Sequence, residues 1–211
     1  MNIILTGNTG KLGKVLYEHL LILDKSFFDE IDNIATFSRS NNNEETEYTL
    51  NYKGNLKDLH DIETFINKVI NKWDTIDVLI NNAGIIDMKS LIEYSEEDYD
   101  FIFNVNVKGT FFMTQAALKY MKSGSKIINI GSTRAITGAP NKSLYSMSKF
   151  ALRSLTQCIN AEYKDRGISS TIICPGSFDT VPINTVVDAI MLAINTPNEA
   201  NIPEVVIGGR L

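Results

Sequence analysis

The strongest constraint on this chain is a regular alternation of short apolar runs with amphipathic stretches. "NIILTG" (2–7), "NIATFSR" (33–39), "EYTLNYKGNL" (47–56), "IDVLINNAG" (76–84), "SKIINIGS" (125–132), "SSTIICPG" (169–176) and "EVVIGG" (204–209) read as strands, some with their exit turns. Between them, "KLGKVLYEHLLIL" (11–23), "DLHDIETFINKVINKW" (58–73), a stretch from about Glu97 to Met121, one carrying Tyr145 to about Lys164, and "NTVVDAIMLAI" (184–194) have helical periodicity. The apolar runs are nearly continuous rather than alternating, so both faces of each strand need cover. That pattern predicts an α/β fold: a doubly wound parallel sheet with helices on both faces. With no internal repeat or linker, 1–211 reads as a single domain. The polar stretch "SNNNEETE" (40–47) reads as a surface loop.

In such a sheet ligands bind at the carboxyl ends of the strands, where the strand order reverses. The candidate motifs all fall there. "LTGNTGKLG" places Gly7, Gly10 and Gly13 at the first strand-to-helix turn. Gly7 suits a tight turn, Gly10 lets the main chain approach a phosphate, and Gly13 allows close helix packing, while the helix N-terminus offers amide donors to a diphosphate. At the end of the second strand, where an acid would bind a free ribose 2′-hydroxyl, Ser38 is followed by Arg39. A guanidinium there, with Lys11 in the glycine turn, favours a 2′-phosphate, hence NADP(H) over NAD(H), with NAD(H) left open.

Charge and composition exclude other classes. A net charge of −5 argues against a nucleic-acid partner or a basic membrane-surface protein. No run approaches the ~18 apolar residues of a membrane span, and "MNIILTGNTG" has no basic n-region. A cytoplasmic protein is expected, with Cys158 and Cys174 as buried free thiols. His19 and His60 are isolated, and no metal site is predicted.

The chemistry sits later in the chain. "NNAG" (81–84) ends the fourth long strand, and Asn106 in "NVNVKG" lies inside a helical run, where asparagine is a poor choice. A side-chain task or a distortion of the helix is expected there. Ser132 ends the next strand, and Tyr145 stands four residues before Lys149, on one helix face. The spacing alone leaves open whether that pair is reactive or a surface contact.

Taken together, "TGNTGKLG", "NNAG", Asn106, Ser132, Tyr145 and Lys149 in "YSMSK", and "PGSFDT" resemble the short-chain dehydrogenase/reductase family over nearly the whole chain. The resemblance implies a Rossmann-type fold, a carbonyl or alcohol substrate, and an Asn106–Ser132–Tyr145–Lys149 tetrad. Tyr145 would act as general acid or base, its phenolate favoured by the Lys149 ammonium and a positive nicotinamide. Ser132 would bond the substrate oxygen, Lys149 the nicotinamide ribose, and Asn106 a relay water. The resemblance also implies a cofactor cradle of Gly7, Thr9, Gly10, Lys11, Leu12, Gly13, Ser38, Arg39, Asn55, Leu56, Asn82, Ala83 and Gly84, with Pro175 and Gly176 behind the nicotinamide and Thr180 on its carboxamide. A catalytically silent dinucleotide-binding regulator or scaffold of the same fold is the alternative.

Three features depart from the family pattern. The glycines are spaced G-x-x-G-x-x-G, Asn55 replaces a common aspartate, and "VPIN" leads almost directly into the last helix where relatives usually insert a lid. The loop 85–97 is then the candidate to close the site. Apolar residues on more than one face of the helices near 104–121 (Phe111, Phe112, Met113) and 145–164 (Phe150, Leu152, Leu155) predict a homodimer or tetramer through those helices.

Overall fold

The computed structural model describes residues 1–22 and 31–208. Its elements are β1 (Asn2–Thr6), α1 (Lys11–Ile22), β2 (Asn33–Ser38), β3 (Glu44–Glu45), β4 (Thr49–Lys53), α2 (Leu59–Trp73), β5 (Val78–Asn81), α3 (Glu96–Phe103), α4 (Thr110–Leu118), β6 (Lys126–Ile130), α5 (Ser143–Glu162), β7 (Ser169–Pro175), α6 (Ile183–Asn195) and β8 (Glu204–Ile207). The expected ends of the first helix at Leu23 and of the last strand at Gly209 fall outside the described residues.

The strands form one eight-stranded sheet in the order β3-β4-β2-β1-β5-β6-β7-β8. All neighbouring strands pair in parallel except the β3–β4 pair. The predicted doubly wound architecture is therefore present. The order reverses between β1 and β5, which opens a crevice at their carboxyl ends.

The continuous apolar runs are explained by the two cores. Ile3 and Leu5 of β1, Val78 and Ile80 of β5, and Ile128 and Ile130 of β6 pack with Leu12, Leu16 and Leu20 of α1 and Val186 and Ile190 of α6. Their neighbours Ile4, Leu79 and Ile127 face the other way, onto Phe65 and Val69 of α2 and Met113 and Ala117 of α4. Successive strand side chains point to opposite faces, so each strand needs apolar residues at every position.

Three expectations are corrected. The polar stretch 40–47 is not simply a loop: Glu44 and Glu45 form a short antiparallel edge strand opposite Asn51 and Leu50. Asn41 is buried there, donating to Thr36 Oγ1 and the Tyr52 carbonyl. A two-residue strand without apolar residues carries no periodicity to read. Cys158 is exposed rather than buried, whereas Cys174 is buried, and both thiols are free. The single helix expected from Glu97 to Met121 is three pieces, with a π-helical turn at Asn104–Gly109 between α3 and α4. The wide turn holds Gly109, where a Cβ would lie 2.6 Å from the Leu56 carbonyl oxygen. Close approach of this helix to the loop after β4 thus requires glycine.

No helix among the described residues is long and apolar enough to cross a membrane. Phe111, Met147 and Phe150 are exposed on α4 and α5, while Met113 and Leu152 are buried.

Candidate active site

A cleft of about 710 Å³ runs across the carboxyl ends of β1, β2, β5, β6 and β7. At its floor, Gly7 leaves β1 with φ +70°, a conformation costly for a residue with a side chain. A Cβ on Gly7 would come within 2.8 Å of Ala83 Cα, and one on Gly13 would collide with the Gly7 carbonyl. At Gly10 the nearest atom to a Cβ would be 3.5 Å away, so that residue faces the open cleft.

The turn after β5 is tied to this loop. Thr6 Oγ1 accepts from the Asn82 and Ala83 amides, and Asn82 Nδ2 donates to the carbonyls of Thr6 and Gly7. Asn82 lines the cleft, but its amide hydrogens hold two loops together. Asn81 ends β5 and is buried, donating to Thr114 Oγ1 and Asn129 Oδ1.

At the far end, Ser38 Oγ lies 2.9 Å from Thr9 Oγ1 and accepts from the Ser40 amide. Arg39 is exposed at the rim, without an ion pair among the described residues. Asn55 Oδ1 accepts from the Lys57 amide, and Leu56 completes that wall.

The other end gathers the predicted reactive residues. Ser132 follows β6, and its hydroxyl accepts from the Arg134 amide. Tyr145, near the start of α5, stands close enough to the Ser132 side chain for that hydroxyl to act on its phenol. One helical turn on, Lys149 is buried, donates to the Ile130 carbonyl at 2.8 Å, and stands 5.7 Å from the Tyr145 ring centre. Burial pulls the Lys149 ammonium down to about 8.

Burial likewise raises the Tyr145 phenol above its usual value; the nearby Ser132 hydroxyl and the Arg134 charge oppose this without overcoming it. The expectation joined the Lys149 ammonium to a positive nicotinamide; in the chain by itself the phenol is favoured. Desolvation outweighs the nearby charges.

Asn106 sits in the π-helical turn with no exposed surface. Its Oδ1 accepts from the Ile85 amide, and its Nδ2 donates to the Ile85 carbonyl and to Ser148 Oγ. Both the task and the helix distortion expected of this residue are therefore visible: the amide pins the strand-like segment after Gly84.

Every predicted site residue lines the cleft except Asn106, which backs its wall, and Thr180. The Thr180 hydroxyl instead donates to the Ser177 carbonyl at 3.2 Å, and Ser177 and Phe178 line the cleft. Sequence reasoning missed Ile86, Arg134 and Lys142, which belong to no motif, and Phe178, which lies inside "PGSFDT" but was given no role. No lid separates β7 from α6; Val181 is buried and Pro182 caps α6 directly. The segment after Gly84 borders the site through Ile85 and Ile86 and is braced by a Lys89–Asp98 ion pair at 2.6 Å.

The comparisons agree with this geometry. A family model described as short chain dehydrogenase matches residues 2–189. The chain belongs to that family. It is 31% identical over 171 residues to the short-chain dehydrogenase/reductase aba4 of Botryotinia fuckeliana, covering 78% of this chain and 66% of that protein. It is 37% identical over 132 residues to the 3-oxoacyl-[acyl-carrier-protein] reductase FabG of Thermotoga maritima, covering 61% and 53%. The matches thus span about half to two-thirds of these curated relatives.

Among solved structures, a short-chain dehydrogenase/reductase from Serratia marcescens superposes with TM-score 0.84 at 23% identity, over 99% of this chain and 95% of that one. At that identity the likeness speaks for the fold. A nicotinamide dinucleotide is the cofactor such a family implies, and the residues of this chain fit one. The glycine turn leaves a cradle that side chains would fill, and the cleft lining contains cations but no carboxylate to repel a diphosphate. No group of three or more His, Cys, Asp or Glu capable of holding a metal exists among the described residues.

Proposed function

We propose that this protein is an NADP(H)-preferring oxidoreductase that interconverts a carbonyl and an alcohol, with Tyr145 as the proton-transfer group. The observation that carries the reading is the Ser132–Tyr145–Lys149 cluster at one end of a cation-lined cleft. When bound, the dinucleotide supplies or accepts the hydride.

The chain's own residues do the rest. Ser132 Oγ and the Tyr145 hydroxyl bond the substrate oxygen, and Tyr145 releases its proton to that oxygen as negative charge develops. A phenol held above its usual pKa by burial is fully protonated at neutral pH, which suits it to the reduction direction. In oxidation the phenolate is needed, and positive charge brought close by the oxidised cofactor favours it. Lys149, held by the Ile130 carbonyl beneath the Tyr145 ring, orients the ribose end of the cofactor and replenishes the proton. Asn106 acts by fixing Ile85 at the cleft wall, leaving a second lone pair on its Oδ1 for a relay water.

The unit comprises residues 1–211, in a cytoplasmic setting that suits its free thiols. The test of the reading is NADPH oxidation over a panel of aldehydes, ketones and quinones, with the Tyr145→Phe control argued in the Discussion. Cofactor binding without turnover of any of them would favour a silent binder.

Cofactor choice rests on Arg39, exposed at the rim beside Ser38 and without an ion pair among the described residues. Arg39→Ala is expected to weaken NADPH binding by about 1.5–3 kcal/mol, the scale of a charge-assisted contact, with little change for NADH. Titration of both cofactors checks this, and an equal loss for the two contradicts a role in reading the 2′-phosphate.

Assembly follows from the exposed Phe111, Met147 and Phe150 on α4 and α5. A homodimer or tetramer through these helices would cover them. Sedimentation at micromolar concentration is expected to show at least twice the 23.6 kDa chain mass, and a monomer refutes it.

A further inference from the structure

The chain has 25 acidic and 20 basic residues, yet the lining of the cleft contains Lys11, Arg39, Arg134, Lys142 and Lys149 and no Asp or Glu. Three of these cations have an account already. Lys11 and Arg39 stand at the glycine turn and the end of β2, where a cofactor's phosphates lie, and Lys149 is bonded to the Ile130 carbonyl.

Arg134 and Lys142 have none. They flank the reactive pair in sequence, two residues after Ser132 and three before Tyr145, and they line the cleft at the same end. Neither forms an ion pair among the described residues. The Arg134 side chain is held in place: Nη1 donates to the Gly138 carbonyl at 2.9 Å, with a longer Nη2 contact to Thr133 Oγ1 at 3.4 Å. That leaves further N–H groups of the guanidinium uncommitted. Arg134 is also near enough to Tyr145 for its charge to act on the phenol.

Two half-buried cations that share a pocket without a counter-charge repel one another and attract an anion from solution. The far end of the cleft already accommodates the negative charges of a dinucleotide, so this second pair calls for a separate anion. With no lid over the site, these side chains are also the strongest polar handles available to hold a substrate.

We infer that the substrate carries an anionic group, a carboxylate or a phosphate, a few bonds from its reacting carbon, and that Arg134 and Lys142 bind it. This rests on the oxidoreductase reading and adds the substrate class to it. The anchored guanidinium offers a planar fork to two anion oxygens, and Lys142 adds a mobile point charge. Together they would place the carbonyl oxygen against Ser132 and Tyr145.

Matched substrate pairs that differ in charge test this: acetoacetate against its methyl ester for a carboxylate, and dihydroxyacetone phosphate against dihydroxyacetone for a phosphate. With the NADPH-loaded protein, kcat/KM is expected to be at least about tenfold higher for the charged member of one pair, identifying the anion. In Arg134→Gln/Lys142→Gln that ratio is expected to fall toward one, with Arg134→Lys retaining part of it. No charge preference in either pair, or an unchanged ratio in the double variant, overturns the inference. Calorimetric binding of acetoacetate and of inorganic phosphate to the cofactor-loaded protein gives a readout independent of turnover. If no carbonyl is reduced but an anion binds and the double variant loses it, the oxidoreductase reading fails while the anion site stands. If neither anion binds, the site itself is refuted.

Discussion

Tyr145→Phe is expected to lower turnover by at least about 10²-fold on the best carbonyl while leaving NADPH binding nearly intact. The phenylalanine ring fills the same volume beside Lys149, so the packing at the start of α5 is retained. The phenol's interaction with the Ser132 hydroxyl disappears, but Ser132 Oγ keeps its bond from the Arg134 amide, so no new buried acceptor is left unpaired. Stability should change by no more than about 1 kcal/mol, the net worth of one ordinary hydrogen bond. What is lost is the phenolic proton that Tyr145 offers a substrate oxygen at the Ser132 end of the cleft, and general acid catalysis is worth roughly 10²–10⁴-fold. NADPH fluorescence titration separates binding from rate. Unchanged turnover in a variant that binds cofactor normally would remove Tyr145 from the mechanism.

Much of this was legible in the sequence because two periodicities carry it. The strands are recognisable from continuous runs such as "VLIN" and "KIINI", and their two-faced burial onto α1 and α6 on one side and α2 and α4 on the other confirms why the runs are continuous. The candidate site residues were legible because tight turns demand glycine, and because the Tyr145–Lys149 spacing, open by itself, fitted the family resemblance carried by the other motifs. What stayed hidden is set by contacts distant in sequence. The edge strand Glu44–Glu45 exists because β4 offers it a partner. The buried chain Asn81–Asn129–Thr156 depends on three elements converging, with Asn129 Nδ2 donating to Thr156 Oγ1. Arg134 and Lys142 look like surface residues in sequence, and only the fold turns them into the cleft. Thr180 illustrates the reverse: a motif position whose hydroxyl is committed to a neighbouring carbonyl.

The second large effect pairs a loss of function with a gain in stability. Lys149→Met is expected to abolish measurable turnover and weaken NADPH binding, since Lys149 contacts the cofactor side of the cleft and underlies Tyr145. Yet the cofactor-free variant should be more stable than wild type at pH 7. Burial holds the folded-state pKa of Lys149 at about 8, whereas an unfolded lysine titrates near 10.4. At pH 7 both states bind the proton, and keeping the charge inside costs about 3 kcal/mol. Methionine removes that cost with a chain of similar length, but leaves the Ile130 carbonyl without its donor, which takes back about 1–2 kcal/mol. The net gain at pH 7 is about 1–2 kcal/mol. Between pH 8 and 10.4 the unfolded wild type binds more protons than the folded one, so wild-type stability rises with pH and the gap closes. Near pH 10 the order should invert, because less than about 1 kcal/mol of the charge cost is left and the lost hydrogen bond outweighs it. The other titrating groups are shared by the two proteins and largely cancel in the difference, Cys174, whose ionisation is coupled to the Lys149 charge, being the exception. Urea midpoints at pH 7 and pH 10 read it directly. A variant less stable than wild type at pH 7, with a gap that does not change with pH, would show that the Lys149 charge is not held in the fold at a cost.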